Sequence, residues 1–369
     1  MKIAIDFVST NLGSGTKTYN INILEHLFNF KFKNKVYIFI TKEYFKEIKK
    51  NKNNIESQIK FIIKSNFYSN VYIRFLWMQI ILPFELKLRG INKLFSPMNI
   101  CPIIAYFINI KIYLGLHSNL PWKYFQLMPG NYFKKSLTKK MMELSIKYCK
   151  VLIVDSYFVR NEIAEILQIN KKKIKVIYLG YNNKIKKAKK TKINYFLSVI
   201  SCVRYHNIIS LLKAYKKVRK TYNINFYLVM QILDKEYYNE IKNFIYVNNL
   251  TKKIKVFTNL PSNKLPAMYL NAKFYIFTSY CESFGLTTLE AMSYNCPVLV
   301  SNMSSLNEIN GDAAEYFNPD DEKEIETKLI KFITDKKLRI ALKKKSKQHL
   351  IKFSWMKSAS QTLKIINNL

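Results

Sequence analysis

A chain of 369 residues with 49% hydrophobic and 15% aromatic side chains holds enough apolar matter for two packed cores, which excludes disorder as its dominant state. Its 61 Lys and Arg against 24 Asp and Glu give a formal charge of +37, spread along the whole length rather than gathered in one arm. Three readings of that charge compete: a codon bias that also enriches Asn, Ile, Tyr and Phe, attraction to an anionic membrane, or nucleic-acid binding. No zinc finger, recognition helix or ribonucleoprotein-type aromatic motif speaks for the last, so no nucleic-acid partner is expected.

Short apolar runs alternate with longer amphipathic ones. Ile3–Val8 reads as a buried strand, and Tyr19–Phe30 has helical spacing in Ile21, Leu24, Leu27 and Phe28. Strand patterns return at Val36–Ile40, Lys111–Leu116, Val151–Val154 and Lys175–Tyr178. At Asn182–Lys192 lysine dominates and apolar content drops, as in an interdomain linker. The alternation then restarts with strands at Tyr195–Ile200, Asn225–Val229, Ile254–Phe257, Phe274–Thr278 and Pro297–Ser301. Helical patterns lie between them at Ile208–Arg219, Tyr237–Asn248, Lys264–Asn271 and Leu286–Tyr294. Buried strands separated by helices predict an α/β fold with parallel sheets covered on both faces. The expected division is a domain over 1–185, a second over 186–352, and an amphipathic terminal helix over 353–369.

Cys101, Cys149, Cys202, Cys281 and Cys296 are odd in number and form no C-x-x-C, which suits a reducing cytoplasm rather than a disulfide framework or a zinc site. Asp6 interrupts the opening strand, and neither a signal-peptide apolar run nor a cleavage site stands there. The apolar stretches Phe75–Phe84 and Ile100–Ile110 fall short of the roughly 20 residues of a membrane span. A cytoplasmic protein with peripheral contact to the inner face of an anionic membrane is expected.

The chemistry concentrates at Glu282-Ser283-Phe284-Gly285-Leu286-Thr287-Thr288-Leu289-Glu290. A strand delivers the chain to Glu282, a glycine turn follows, and a helix containing Glu290 begins. Backbone N–H groups at a helix start favour an anion such as a diphosphate, and Gly285 lets the backbone approach it. A carboxylate in the first turns can accept two hydrogen bonds from the vicinal diol of a ribose. Elsewhere, Asn11–Lys17 is a loop with Gly13 and Gly15 that opens a helix, suited to turning beside a phosphate or simply a strand–helix turn. His117 sits at the carboxyl end of a strand, where a ligand contact and a structural role both remain open. Arg204, His206 and Asn207 share the loop after the strand at Tyr195–Ile200, with Arg204 either facing a diphosphate or solvated.

Glu282 and Glu290 resemble the E-x7-E motif of the retaining GT4-type glycosyltransferases, the group 1 family with the GT-B fold. The resemblance extends through Ala291-Met292-Ser293, Pro297–Ser301, Glu308, Gly311–Ala314 and Pro319, back to Trp77, Gln79, Phe95-Ser96-Pro97 and Ile177–Gly180, and ends at Phe353-Ser354-Trp355. It implies two Rossmann-like doubly wound domains facing a central cleft, the first on the acceptor side and the second on the donor side, with the terminal helix packing back on the first. An alternative leaves that helix as the end of the second domain. By resemblance, Glu282 and His117 contact the donor sugar, Ser283, Phe284, Gly285 and Leu286 offer backbone donors, and Glu290 holds the ribose. Gly15, Lys17, Arg204, His206 and Asn207 complete the donor-binding set.

Several positions depart from the family pattern. Lys17 stands where many relatives have a second glycine, and Ser118 follows His117 where relatives have Asp. Ser201 and His206 stand where relatives have Arg and Lys. The chain contains no Asp-x-Asp, which metal-dependent single-domain glycosyltransferases use to hold a metal on the diphosphate, so no metal and no cofactor are expected. The resemblance implies transfer of a sugar from a nucleotide-sugar to an acceptor hydroxyl with retention. A glycan or lipid-linked glycan of lipopolysaccharide or capsule is the expected acceptor. The alternative is a basic nucleic-acid- or membrane-binding protein on the same fold without catalysis.

Overall fold

The computed structural model describes residues 2–8, 14–30, 32, 34–49, 58–182, 193–258 and 260–368. The expected linker lies outside these residues apart from Asn182, and so does Asn11–Gly13 of the glycine loop. The chain forms two compact units: Met1–Asn119 with Tyr132–Gly180 and Ser354–Leu369, and Leu120–Asn131 with Tyr181–Phe353.

The first unit holds β1 (Lys2–Phe7), β2 (Lys35–Thr41), β3 (Ile59–Lys64), β4 (Lys93–Ser96), β5 (Lys111–Leu116), β6 (Val151–Val154) and β7 (Ile174–Val176). They lie in the order β3-β2-β1-β4-β5-β6-β7, and every pairing is parallel. Central strands such as Ile3–Phe7 and Ile112–Leu116 are buried along their length, because helices cover both faces of such a sheet. The order reverses between β1 and β4, the switch point beside which open α/β sheets bind ligands. The last helix, Trp355–Asn368, belongs to this unit. Buried Lys93 fastens it, with its ammonium donating to the carbonyls of Ile366 (2.7 Å) and Asn367 (3.4 Å) at the helix C-terminus. Where the chain returns, a Cβ on Gly180 would fall 2.1 Å from the Trp355 nitrogen, so that crossing requires glycine.

The second unit holds β8 (Tyr195–Cys202), β9 (Asn225–Ile232), β10 (Ile254–Thr258), β11 (Tyr275–Phe277), β12 (Val298–Ser301) and β13 (Ala314–Phe317). Their order is β10-β9-β8-β11-β12-β13, again wholly parallel, with the switch point between β8 and β11. Phe196, at the sheet centre, stacks on Phe226 (4.5 Å) and Phe274 (5.1 Å). The helix Ile208–Val218 turns Leu211, Leu212, Tyr215 and Val218 into this core. Both sheets thus have the α/β architecture the sequence predicts. No helix among the described residues is long and apolar enough to cross a membrane.

Candidate active site

The second unit brings its predicted residues together at the switch point. β8 and β11 are neighbours, so the loops leaving their carboxyl ends meet. The loop after β8 carries His206, and the one after β11 carries Glu282. His206 Nε2 lies 3.1 Å from Glu282 Oε1, while Nδ1 donates to the Ser201 carbonyl at 2.6 Å. Both ring nitrogens therefore face oxygen atoms. The backbone of His206 is held as well, since Thr278 Oγ1 donates to its carbonyl at 2.6 Å.

Glu282 is clamped on both sides. Its N–H donates to Ser304 Oγ (2.8 Å), and its carbonyl accepts from Ser305 Oγ (2.8 Å). Ser304 adopts a left-handed φ of 53° to reach it. Neither serine stands out in the sequence, because their role rests on β12 lying beside β11.

Gly285 caps the helix Leu286–Ser293 with φ 86° and ψ 48°, a conformation that costs other L-residues energy. A Cβ there would also fall 2.7 Å from Leu306 Cδ2. The Thr288 N–H turns back to the Gly285 carbonyl at 3.0 Å, and the N–H groups that open such a helix favour an anion. Phe284 is 2% exposed and meets Phe353 edge-on at 5.7 Å, so only its backbone can serve a ligand. Glu290 sits one turn into the helix, on the side of Leu286. Burial pushes its carboxyl up to about 7, opposed by the Tyr269 hydroxyl 3.5 Å away. Tyr269 is itself fixed by stacking on Tyr294 (5.8 Å, 7°).

Other predicted residues are engaged within their own unit. Arg204 makes a fork to Glu240 (3.0 and 2.5 Å), lies 3.8 Å from Asp234 and covers the Tyr237 ring. The hydrogen bond to Glu240 raises its pKa further, and the fork pairs the guanidinium within its own unit. Asn207 takes a left-handed φ of 49°. Its amide donates to the Pro319 carbonyl (2.8 Å), and its oxygen accepts from Ser210 (2.8 Å). In the first unit Lys17 pairs with Glu47 at 3.1 Å and stands over the Tyr44 ring. Gly15 is the second residue of the helix Ser14–Leu27.

The first unit supplies a second histidine–carboxylate pair. Leu116 of β5 pairs with Val154 of β6, so the next residues, His117 and Asp155, emerge side by side. His117 Nδ1 donates to Asp155, 3.0 and 2.9 Å from its two oxygens. The His117 N–H donates to Asn99 Oδ1 (2.6 Å), and Tyr19 packs on the ring at 4.2 Å. Burial, with the nearby Asp155 charge, raises the Tyr19 phenol well above its usual value and keeps it neutral. His117 Nε2 is buried without a hydrogen-bond partner among the described residues. A Cβ on Gly115 would crowd it at 3.1 Å. A carboxylate thus stands against His117 from the neighbouring strand although position 118 is serine, and the parallel placement of the two predicted strands was the signal for it. Among the described residues no three His, Cys, Asp or Glu side chains gather as a metal site.

Comparison with known proteins places this geometry. Residues 181–349 match the family model of glycosyl transferases group 1. An O-antigen chain mannosyltransferase of Salmonella typhimurium, RfbU, is 30% identical over 210 residues, which cover 57% of each chain. An uncharacterized glycosyltransferase of Methanocaldococcus jannaschii is 29% identical over 225 residues, 60% of each chain. The chain thus spans little more than half the length of these curated relatives. Among solved structures, WaaG, a glycosyltransferase involved in lipopolysaccharide biosynthesis, aligns with TM-score 0.74 over 100% of both chains at 12% identity. HepE of Anabaena, solved with UDP, aligns with TM-score 0.75 over 100% of both chains at 14% identity. At such identities the likeness concerns the fold, which is GT-B. Residues 181–349, the greater part of the second unit, are thus similar to the group 1 glycosyl transferases.

Proposed function

We propose that this chain is a glycosyltransferase that moves a sugar from a nucleotide-sugar to an acceptor hydroxyl, with retention and without a metal. Its place is the assembly of a bacterial surface polysaccharide, on a glycan or lipid-linked glycan at the inner face of the membrane. The observation that carries the reading is the strand–Glu282–Gly285–helix–Glu290 arrangement within the residues that match the family. Mannose is the first donor sugar to test, since two relatives are named as O-antigen chain mannosyltransferases.

In this reading the N–H groups of Ser283 to Leu286 hold the diphosphate, whose charge grows as it leaves. Glu290 accepts from the ribose diol. Glu282, steadied by His206, Ser304 and Ser305, meets the sugar hydroxyls. His117, oriented by Asp155, offers Nε2 to the sugar. No side chain is assigned as a covalent nucleophile: the acceptor hydroxyl attacks from the face on which the diphosphate departs.

A thermal-shift screen with UDP-, GDP-, ADP- and CMP-sugars tests this beside Glu290→Ala. One donor at about 100 times its Kd stabilises the parent by about 2.7 kcal/mol, a rise of several degrees, and leaves the variant unmoved. Absence of any shift in the parent, or an equal shift in both, overturns the site. The anomeric configuration of the product decides retention.

A further inference from the structure

The first unit carries an apolar surface that the donor chemistry does not use. Residues 71–88 form one continuous helical run, α over Val71–Leu76, π over Trp77–Ile81 and α again over Leu82–Leu88. One side is anchored in the core by Trp77, Met78, Leu82 and Leu86. Buried Arg74 ties the same side to β1, pairing with Asp6 and donating to the Val8 carbonyl at 2.5 Å. The other side exposes Tyr72, Leu76, Ile80, Phe84 and Leu88, with Leu88 at 88% and Tyr72 at 77%.

These five recur at every fourth residue. On an α-helix a four-residue step overshoots a full turn by about 40°, so such a stripe drifts around the axis. The wider π turn rotates the chain less per residue and takes back part of that drift. The π segment therefore keeps the stripe on one face across the whole run. The helix Ile103–Phe107 packs beside this run and adds exposed Tyr106 and Phe107, which cluster with Tyr148 (5.0 and 5.4 Å).

The charge around the stripe is one-sided. Between residues 58 and 111 Glu85 is the only acidic residue, and it is paired with Lys64. Lys60, Lys87, Arg89 and Lys111 are exposed. Lys87 Nζ reaches the Ile108 carbonyl (3.5 Å), and Lys147 stands over the Tyr148 ring (5.5 Å), so cations border the aromatic cluster itself. A second copy of a chain with formal charge +37 would bring like charges together at this rim. Protruding aliphatic and aromatic side chains beside long basic ones instead suit an interface with acyl chains below and anionic headgroups at the level of the cations.

We infer that residues 71–88, with Tyr106 and Phe107, form a docking surface for an anionic lipid bilayer, inserting the stripe at Tyr72, Leu76, Ile80, Phe84 and Leu88. This deepens the membrane placement in the proposed function and does not depend on its transferase chemistry, because partition into vesicles is measured without donor or acceptor.

The test pelleted with vesicles is the full chain, against phosphatidylcholine alone and against equimolar phosphatidylcholine and phosphatidylglycerol. So basic a protein will adhere to anionic vesicles by charge, so the informative variant is Leu76→Ser/Phe84→Ser, which leaves the net charge untouched. Its partition into the anionic vesicles falls about tenfold, while Tyr246→Ser/Val247→Ser, which alters an exposed apolar pair of the second unit, partitions like the parent. An unchanged melting temperature shows that the stripe variant is folded, and if it is not, Leu88→Ser alone serves in its place. Equal partition of the stripe variant and the parent overturns the inference. So does a parent dimer in sedimentation velocity that the stripe variant dissociates, because the face then belongs to a second copy.

Discussion

The two units each hold a histidine against a carboxylate at the ends of neighbouring parallel strands, yet the two pairs are built differently. His117 and Asp155 are the next rung of a ladder already in register, Leu116 beside Val154, and need nothing beyond strand adjacency to meet. His206 and Glu282 lie several residues past β8 and β11 and meet only because Thr278, Ser304 and Ser305 fix their loops. The first ring keeps Nε2 without a partner among the described residues, and the second has both nitrogens occupied. In the proposed function His117 therefore touches the sugar itself, whereas His206 acts through Glu282.

The sharpest way to break this comparison is Glu282→Ala. It removes a group that the proposed function sets against the sugar and leaves buried His206 facing an empty position. Loss of one such polar contact in a preorganised site lowers kcat by roughly 10² to 10³, read in donor-saturated turnover assays. A Glu282→Ala variant that retains turnover removes Glu282 from the chemistry and leaves the pair a structural one.

Asp155→Asn comes next. The amide keeps the shape but loses the charge that orients His117 through Nδ1, an outer-shell change of about 10- to 100-fold in activity. A purely structural Asp155 would lower the melting temperature and leave the pH profile of kcat in place. The orienting role expected here moves that profile at an unchanged melting temperature.

How much of this was legible beforehand follows from the same contrast. Glu282, Gly285 and Glu290 are encoded in nine consecutive residues, because a strand, a turn and a helix start leave a local pattern. Asp155 is 38 residues from His117 and could be found only by asking which strand lies beside which. In the sequence Arg204 stands as a diphosphate ligand or a solvated charge, because Glu240, 36 residues on, is invisible without the helix Lys235–Val247 that carries it. Among strands, β4 and β13 are four residues each and dilute their apolar pattern with Lys93, Ser96 and Glu315. β3 follows a polar stretch and is only partly buried, so neither length nor hydropathy marks it. Phe75–Phe84 reads in the sequence only as an apolar run too short to span a membrane, and the exposure of Tyr72, Leu76, Ile80, Phe84 and Leu88 is a tertiary fact.

Glu290 gives the smallest effect and one with a definite sign. Burial raises its pKa from 4.5 to about 7, so the folded chain holds this proton more tightly than the unfolded one. Its contribution to stability is full below about 4.5 and is lost as the pH rises through about 7. Nucleotide binding has the opposite slope, because only the carboxylate accepts both hydroxyls of a diol. Donor affinity accordingly climbs by up to about tenfold per pH unit below pH 7 and levels off above it. Glu290→Gln flattens both curves in this window, the melting temperature without ligand and the Kd from titration calorimetry. Parallel rather than opposed slopes in the parent would mean that the nucleotide does not meet Glu290, and the ribose would then have to be held elsewhere in the second unit.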